Sequence, residues 1–361
     1  MIIFKESIRS ERTYKIYKYY NDQFLRWAHK DYVSFSLLSS SEIQTLVEDY
    51  VIYLKRRLNP NSIAPRLAAI NKLVEAIGKE YNKNKVKRLL PEKVKLAGGK
   101  SWSTQQIQKM LEYADTKRAK ALVHFLAASG IRIGVLEDLK LKNIEEVQGG
   151  CKLIKAYAGT KWEYYTFLHH EASKALDEYI QERRSEGESV DDESFVFRQR
   201  YVLARQRPKS LTREAATGVI KRVLKRARIE RTRDEKSVRY DIPIDTGFRK
   251  RYNSILKSNP NVSYAIAERL MDHRTNLESH YLHTPVDKLF EEYKKAIPEL
   301  IIDDSERLKM RNQILEIEKS DLEKKNLEIE QLKIEQQKII EDLKKVKARQ
   351  ERAEKYQKKI I

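Results

Sequence analysis

From Ser10 onward, Tyr17, Tyr20, Phe24 and Trp27 recur at steps of three and four, which predicts a helix with one apolar face. The same period returns from Ser41 through Ile43, Leu46, Val47, Tyr50, Val51 and Leu54, and again after Asn61 through Ile63, Leu67, Ile70, Val74 and Ile77. These three helices predict a small helical domain over residues 1–90. The period then lapses, and Pro91, Gly98 and Gly99 mark residues 91–102 as a linker. Ser103 and Gln106 have the spacing of a capping box, in which hydroxyl and amide satisfy orphan backbone donors, so a second domain is expected over 103–300.

Within that domain the pattern predicts a helix over Lys117–Ala128, a break at SGIRIG (129–134) and renewed helical spacing over Val135–Leu141. Further helices are predicted at Glu171–Arg184, Thr212–Arg228, Arg249–Lys257 and Ser263–Leu270, with a polar loop at 185–210. CKLIKAYAG and KWEYYTFL are short, aromatic and β-branched, and predict a β-hairpin turning at Gly159 to Lys161. From Asp304 the chain is almost wholly Glu, Lys, Gln, Leu and Ile, with Leu322, Ile329, Leu332, Ile339, Leu343, Val346 and Ala353 near heptad spacing. The tail, 301–361, reads as a coiled coil or a long single helix. The fold class expected is therefore mainly α, with one small hairpin.

Charge narrows the function. The 361 residues hold 73 Lys and Arg against 53 Asp and Glu, a formal +20, and such a field favours a polyanionic partner. No run of about 18 apolar residues offers a membrane span, and MIIFKESIRS is too short and charged for a signal peptide. Cys151 is the only cysteine, and no Cys/His cluster has zinc-site spacing, which points to a reducing, cytoplasmic setting. No glycine-rich phosphate loop, HExxH or GxSxG motif gives metal or nucleotide chemistry a starting point, so no cofactor is expected.

AASGIRIGVLEDLKLKNI, TGFRKR, RLMDHR and HYLHT follow one another in the order and rough spacing of the tyrosine recombinase catalytic domain, and the chain resembles a phage-type or archaeal-type integrase over about residues 103–295. The resemblance implies that the first domain is a core-binding domain, which closes a clamp on duplex DNA with the catalytic domain. It implies further that Arg132 (SGIRIG) and Arg249 (TGFRK) hold the scissile phosphate. A guanidinium suits that role because it is permanently charged and donates paired hydrogen bonds to nonbridging oxygens. Lys161 matches the hairpin lysine that protonates the leaving 5′ hydroxyl, with Lys155 the alternative register. His273 (MDH) stands at the histidine of the family's LGH signature, and Tyr281, eight residues later, at the nucleophile. The covalent product would be a 3′-phosphotyrosyl ester. Thr246 departs from the pattern: the family usually has a histidine there, and a hydroxyl cannot shuttle a proton near neutral pH.

Two more expectations concern contacts. Lys221, Arg222, Lys225 and Arg226 crowd one predicted helix and suit a phosphate-tracking surface; Lys55, Arg56, Arg57 and Arg66 do the same in the first domain, where solvated surface explains them equally well. By resemblance the protein forms a tetramer on DNA, with 287–302 exchanged between neighbours; the tail's own heptads offer coiled-coil self-association, or a solvated single helix because Gln336 and Lys325 sit at core-like positions. A nucleoid-associated recombinase is the reading; a noncatalytic DNA-binding scaffold is the alternative, and a relaxing topoisomerase or RNA-end-processing protein shares the chemistry. If four such cations contact phosphates, duplex affinity falls roughly a hundredfold between 50 and 200 mM salt, measured by fluorescence anisotropy; a flat salt profile removes the polyanion reading.

Overall fold

A computed structural model describes residues 2–94, 99–200, 208–233, 239–273 and 285–357, in two units, Met1–Leu96 and Ala97–Ile361. In the first unit the described helices are α1 (Ile2–Glu6), α2 (Glu11–Trp27), α3 (Tyr32–Ser36), α4 (Ser40–Lys55), α5 (Ile63–Ala76) and α6 (Lys83–Arg88). The three periodic stretches correspond to α2, α4 and α5. Ser10 caps α2 through the Thr13 amide, and Ser39 with Glu42 forms a capping box at α4. The remaining three helices have five or six residues each, too few for a period to register. Phe24, Phe35, Val47, Tyr50, Ile63 and Ile70 fill the core, where the Phe24 ring meets Phe35 edge-on at 5.5 Å.

The second unit begins with α7 (Thr104–Glu112) behind the predicted Ser103/Gln106 capping box, then α8 (Lys117–Ser129). An antiparallel sheet follows, β1 (Ile144–Val147), β2 (Cys151–Ala156) and β3 (Tyr164–Leu168), in spatial order 1-2-3. In the register Leu153 faces Phe167 and Ile154 faces Thr166 across β2 and β3. Alternation sends Ile154, Ala156, Tyr164 and Leu168 into one core with α8 and α9 (His170–Ser185), and Leu153 and Phe167 into a second core. That second core is built on α11 (Ile244–Ser258), α12 (Tyr264–Leu270) and α13 (Val286–Leu300), while α10 (Arg213–Arg226) belongs to the first. α14 (Asp304–Gln357) is one continuous helix of 54 residues, and its heptad positions Leu322, Leu332, Ile339 and Leu343 are exposed.

The structure corrects three expectations. The sheet has a third strand, β1, whose Glu145 and Glu146 disguise it because an edge strand keeps charge outward. Residues 135–141 are not α-helical: Ile133–Glu137 is a short 3₁₀ turn that buries Val135 and Leu136 and delivers the chain to β1. Finally α11 starts five residues before the expected Arg249, at Ile244, so Thr246 lies in its first turn. No helix among the described residues is long and apolar enough to cross a membrane.

Two histidines of this unit are held neutral by burial. His169, at the start of α9, is enclosed with neither ring nitrogen bonded, and its pKa lies well below the usual value. His124 on α8 has an enclosed, unpartnered Nδ1, and desolvation lowers its pKa from 6.5 to about 4 against a smaller opposing pull from Glu178. Between these values the unfolded chain binds the proton and the folded chain does not, so stability is lost as pH falls from 6.5 towards 4. Denaturant unfolding of the wild type should lose about 2–3 kcal/mol from His124 alone between pH 7 and 4.5. His124→Leu should lessen that slope; an unchanged slope means that His124 does not titrate as assigned.

Candidate active site

The C-terminal end of α8 organises the site. Gly130 closes the helix at φ +57°, and a Cβ there would sit 2.3 Å from Tyr252 Cδ1, so only glycine fits both the turn and the contact. Three carbonyls left without helical partners each receive a side chain from a different element. Tyr293 of α13 donates to Ala128 O at 3.0 Å, Thr166 of β3 to Ser129 O at 2.8 Å, and Arg249 of α11 to Gly130 O at 2.8 Å. α11 is itself seated by Trp102, whose Nε1 donates to Ile244 O at 2.9 Å and against which Gly247 lies too close for a Cβ.

Two residues after Gly130 the chain presents Arg132. Its Nη1 meets Asp272 Oδ2 at 2.6 Å and its Nη2 the Asp272 carbonyl at 3.0 Å, while Arg249 Nη2 donates to the Met271 carbonyl. Arg132 and Arg249, 117 residues apart in sequence, therefore converge on the turn Met271–His273. Arg132 keeps 39% of its side chain exposed, whereas the Asp272 side chain keeps 8%. Burial lowers the pKa of Arg249, and the neighbouring Arg132 lowers it further: two like charges share one small space. Tyr164 and Tyr157 complete the wall. The Tyr164 ring lies 5.9 Å from the Arg132 guanidinium, and burial raises the pKa of both phenols while the arginines oppose the rise. This cluster could hold an oxyanion, because it offers fixed guanidinium donors in a half-enclosed setting.

His273 borders the cluster, with Nδ1 3.2 Å from a Glu268 oxygen; Glu268 also pairs with Lys257. Thr246 is exposed one turn before Arg249, and Asp245 beside it accepts from Thr217 at 2.9 Å. Lys161 lies in the turn between β2 and β3, its ammonium 5.0 Å from the Trp162 ring centre, whereas Lys155 is on β2 and pairs with Glu163 at 3.4 Å. The turn is shaped by Tyr157 and Gly159 at positive φ and by the Gly159 amide donating to Glu163. Tyr281 lies outside the described residues. Of the tyrosines nearest in sequence, Tyr293 is fully buried with its hydroxyl on Ala128 O, which removes it as a nucleophile, and Tyr264 is an exposed partner of Lys257.

Asp272, Tyr157 and Tyr164 are the site residues that motif reading missed. The signal for Asp272 was its place at the glycine of LGH: it adopts φ +48°, left-handed backbone that glycine takes freely and Asp tolerates. On α10, Lys221, Arg222, Lys225 and Arg226 are all exposed, and Arg226 pairs with Asp115. In the first unit Arg26, Arg57 and Arg66 line a cavity of about 410 Å³ with Trp27, Tyr50 and Tyr53. Among the described residues no group of three or more His, Cys, Asp or Glu side chains is placed to hold a metal ion.

A family model described as the phage integrase family matches residues 100–282. The chain belongs to this family. The match spans the two arginines, His273 and Tyr281. No curated protein sequence matches. Among solved structures, the Tn1549 transposon integrase in complex with transposon right end DNA is similar at 14% identity and a TM-score of 0.51, covering 81% of this chain and 98% of that one. XerH site-specific recombinase bound to difH substrate gives 16% identity and 0.48, covering 76% of each chain. A lambda integrase dimer bound to a COC′ core site gives 14% and 0.47, covering 77% of this chain and 93% of that one. At these identities the likeness is one of fold.

The Asp272 carboxylate occupies Arg132, so an anion that binds this guanidinium must displace it. Asp272→Asn keeps the left-handed turn and removes the charge. Its duplex affinity, read by anisotropy at fixed salt, should rise roughly three- to tenfold, the worth of a half-exposed ion pair. An unchanged or weaker affinity means that Asp272 only positions Arg132.

Proposed function

We propose that this chain is a site-specific DNA recombinase that cleaves and rejoins duplex DNA through Tyr281. The observation that carries the reading is the convergence of Arg132 and Arg249 on the turn that leads to Tyr281. The two guanidiniums bind the nonbridging oxygens of the scissile phosphate and draw it from solvent. The Tyr281 phenol, with the ordinary pKa of about 10, loses its proton to solvent water as its oxygen attacks phosphorus, and the surrounding cations lower the cost of that charge. The bond from phosphorus to the 5′ oxygen breaks, and Lys161 supplies the proton to the departing 5′ hydroxyl. A 3′-phosphotyrosyl ester remains, and attack by a 5′ hydroxyl reverses the sequence and restores the strand. His273, oriented by Glu268, hydrogen-bonds the phosphate or the phenol. Thr246 can exchange hydrogen bonds there but cannot shuttle a proton.

Residues 103–300 are the catalytic domain in this reading, and 1–90 the core-binding domain. Lys221, Arg222, Lys225 and Arg226 track the backbone of duplex DNA, and the protein works as a tetramer in the cytoplasm, on the nucleoid. The exposed heptad positions of α14 pair with those of a second copy. A scaffold that binds DNA without cutting is the second reading; Thr246 in place of histidine and the carboxylate already on Arg132 favour it.

The test is incubation with nicked suicide duplexes from the genomic flanks of the gene, followed by denaturing electrophoresis. A covalent adduct is expected with the wild type and none with Tyr281→Phe. An adduct that persists in the variant moves the nucleophile elsewhere, and no adduct from either protein despite tight binding favours the scaffold.

A further inference from the structure

Arg251 lies two residues beyond Arg249 and, at about 100° per residue, on the opposite side of α11. It is only 4% exposed. Its Nη2 donates to the carbonyls of Glu299 at 3.0 Å and Leu300 at 3.3 Å and to Thr104 Oγ1 at 3.1 Å, closing the C-terminal end of α13. Its Nη1 is equally enclosed and has no hydrogen-bond partner among the described residues. Burial draws the pKa of Arg251 down to about 10, which leaves it charged at neutral pH with donors unanswered. Such a group is costly unless an acceptor is supplied.

A cavity lies beside it. Arg251 lines a cavity of about 400 Å³ together with Arg307 and Arg311 from the first turns of α14 and the hydroxyl residues Ser101 and Ser254. Glu299 is the one carboxylate on the lining, and Asp304 pairs with Arg307 from outside it. Three guanidiniums against one lining carboxylate leave the cavity cationic. Guanidinium forks suit carboxylate and phosphate alike, and a phosphate offers several guanidiniums and hydroxyls more acceptor oxygens than a carboxylate or a halide.

We infer that this cavity is a phosphate site, taking inorganic phosphate or a phosphate monoester, with Arg251 on its inner wall and Arg307 and Arg311 as the outer pair. The occupant bridges α11 to the root of α14 and so fastens the long helix to the body of the unit. The inference stands apart from the DNA-cleavage reading, since none of its residues belongs to the Arg132 cluster.

The test is thermal unfolding of the full chain in inorganic phosphate against sodium chloride of equal ionic strength, with Arg307→Gln/Arg311→Gln as the variant. These two positions lie on α14 outside the buried core. The unfolding midpoint of the wild type should rise by about 3–5 °C at tenfold excess over half-saturation and then level off, and the variant should lose that rise. A rise that grows without saturating, or that is equal in the variant, is a general salting effect and overturns the site. Duplex affinity distinguishes the source: unchanged affinity in the variant assigns a free phosphate ligand, whereas a loss of threefold or more assigns a phosphate of the DNA.

Discussion

The end of α8 is the constraint on which the second unit depends. A helix C-terminus leaves carbonyls without partners and a partial negative charge, and burying it without donors costs about 1–3 kcal/mol per group. Here Tyr293, Thr166 and Arg249 answer Ala128, Ser129 and Gly130, so α13, β3 and α11 are all drawn to one point. Gly130 is required there because Tyr252 occupies the space of a side chain. Arg132 follows two residues later, and its position is thereby inherited from the core of the fold rather than from a surface loop.

That origin explains the electrostatics of the cluster. Arg249 serves structure with one nitrogen, through Gly130, and the 271–273 turn with the other. Arg132 keeps 39% of its side chain exposed and is held by Asp272. Two adjacent cations disfavour one another, as the lowered pKa of Arg249 reflects, and an anion relieves that repulsion. In the resting protein the anion is a carboxylate with two oxygens.

Much of this was legible in the sequence where a residue has few physical alternatives. Ser103 with Gln106 announced α7, glycine at 130 announced the end of α8, and the aromatic and branched runs around Gly159 announced β2 and β3. The two arginines were found because the motif order singled them out from a surface rich in arginine. What stayed hidden was set by tertiary packing. β1 is an edge strand with charged faces, and the 3₁₀ turn after Arg132 has the apolar content of a helix without its length. Arg183, inside the predicted helix, and Arg198, inside the predicted polar loop, are buried around Glu188 and pin the segment between them. Asp272 looked like an ordinary acid until its left-handed backbone and its partner were seen together.

Arg249 and Arg251 apply one chemical solution twice. From opposite sides of α11, each donates to the carbonyls at the end of a helix, Arg249 to α8 and Arg251 to α13. A lysine ammonium could neutralise either helix end, but it is a point charge and cannot satisfy two or three fixed carbonyls while aiming a further nitrogen elsewhere. The guanidinium can, because its five donors lie in one rigid plane. Arg249 also reaches the Met271 carbonyl, and Arg251 also lines the arginine-rich cavity. A helix that uses arginine to cap its neighbours therefore also presents oriented donors beyond them, and an anion gathered at either end would act on α11 itself, with Arg249 and Arg251 only two residues apart along it.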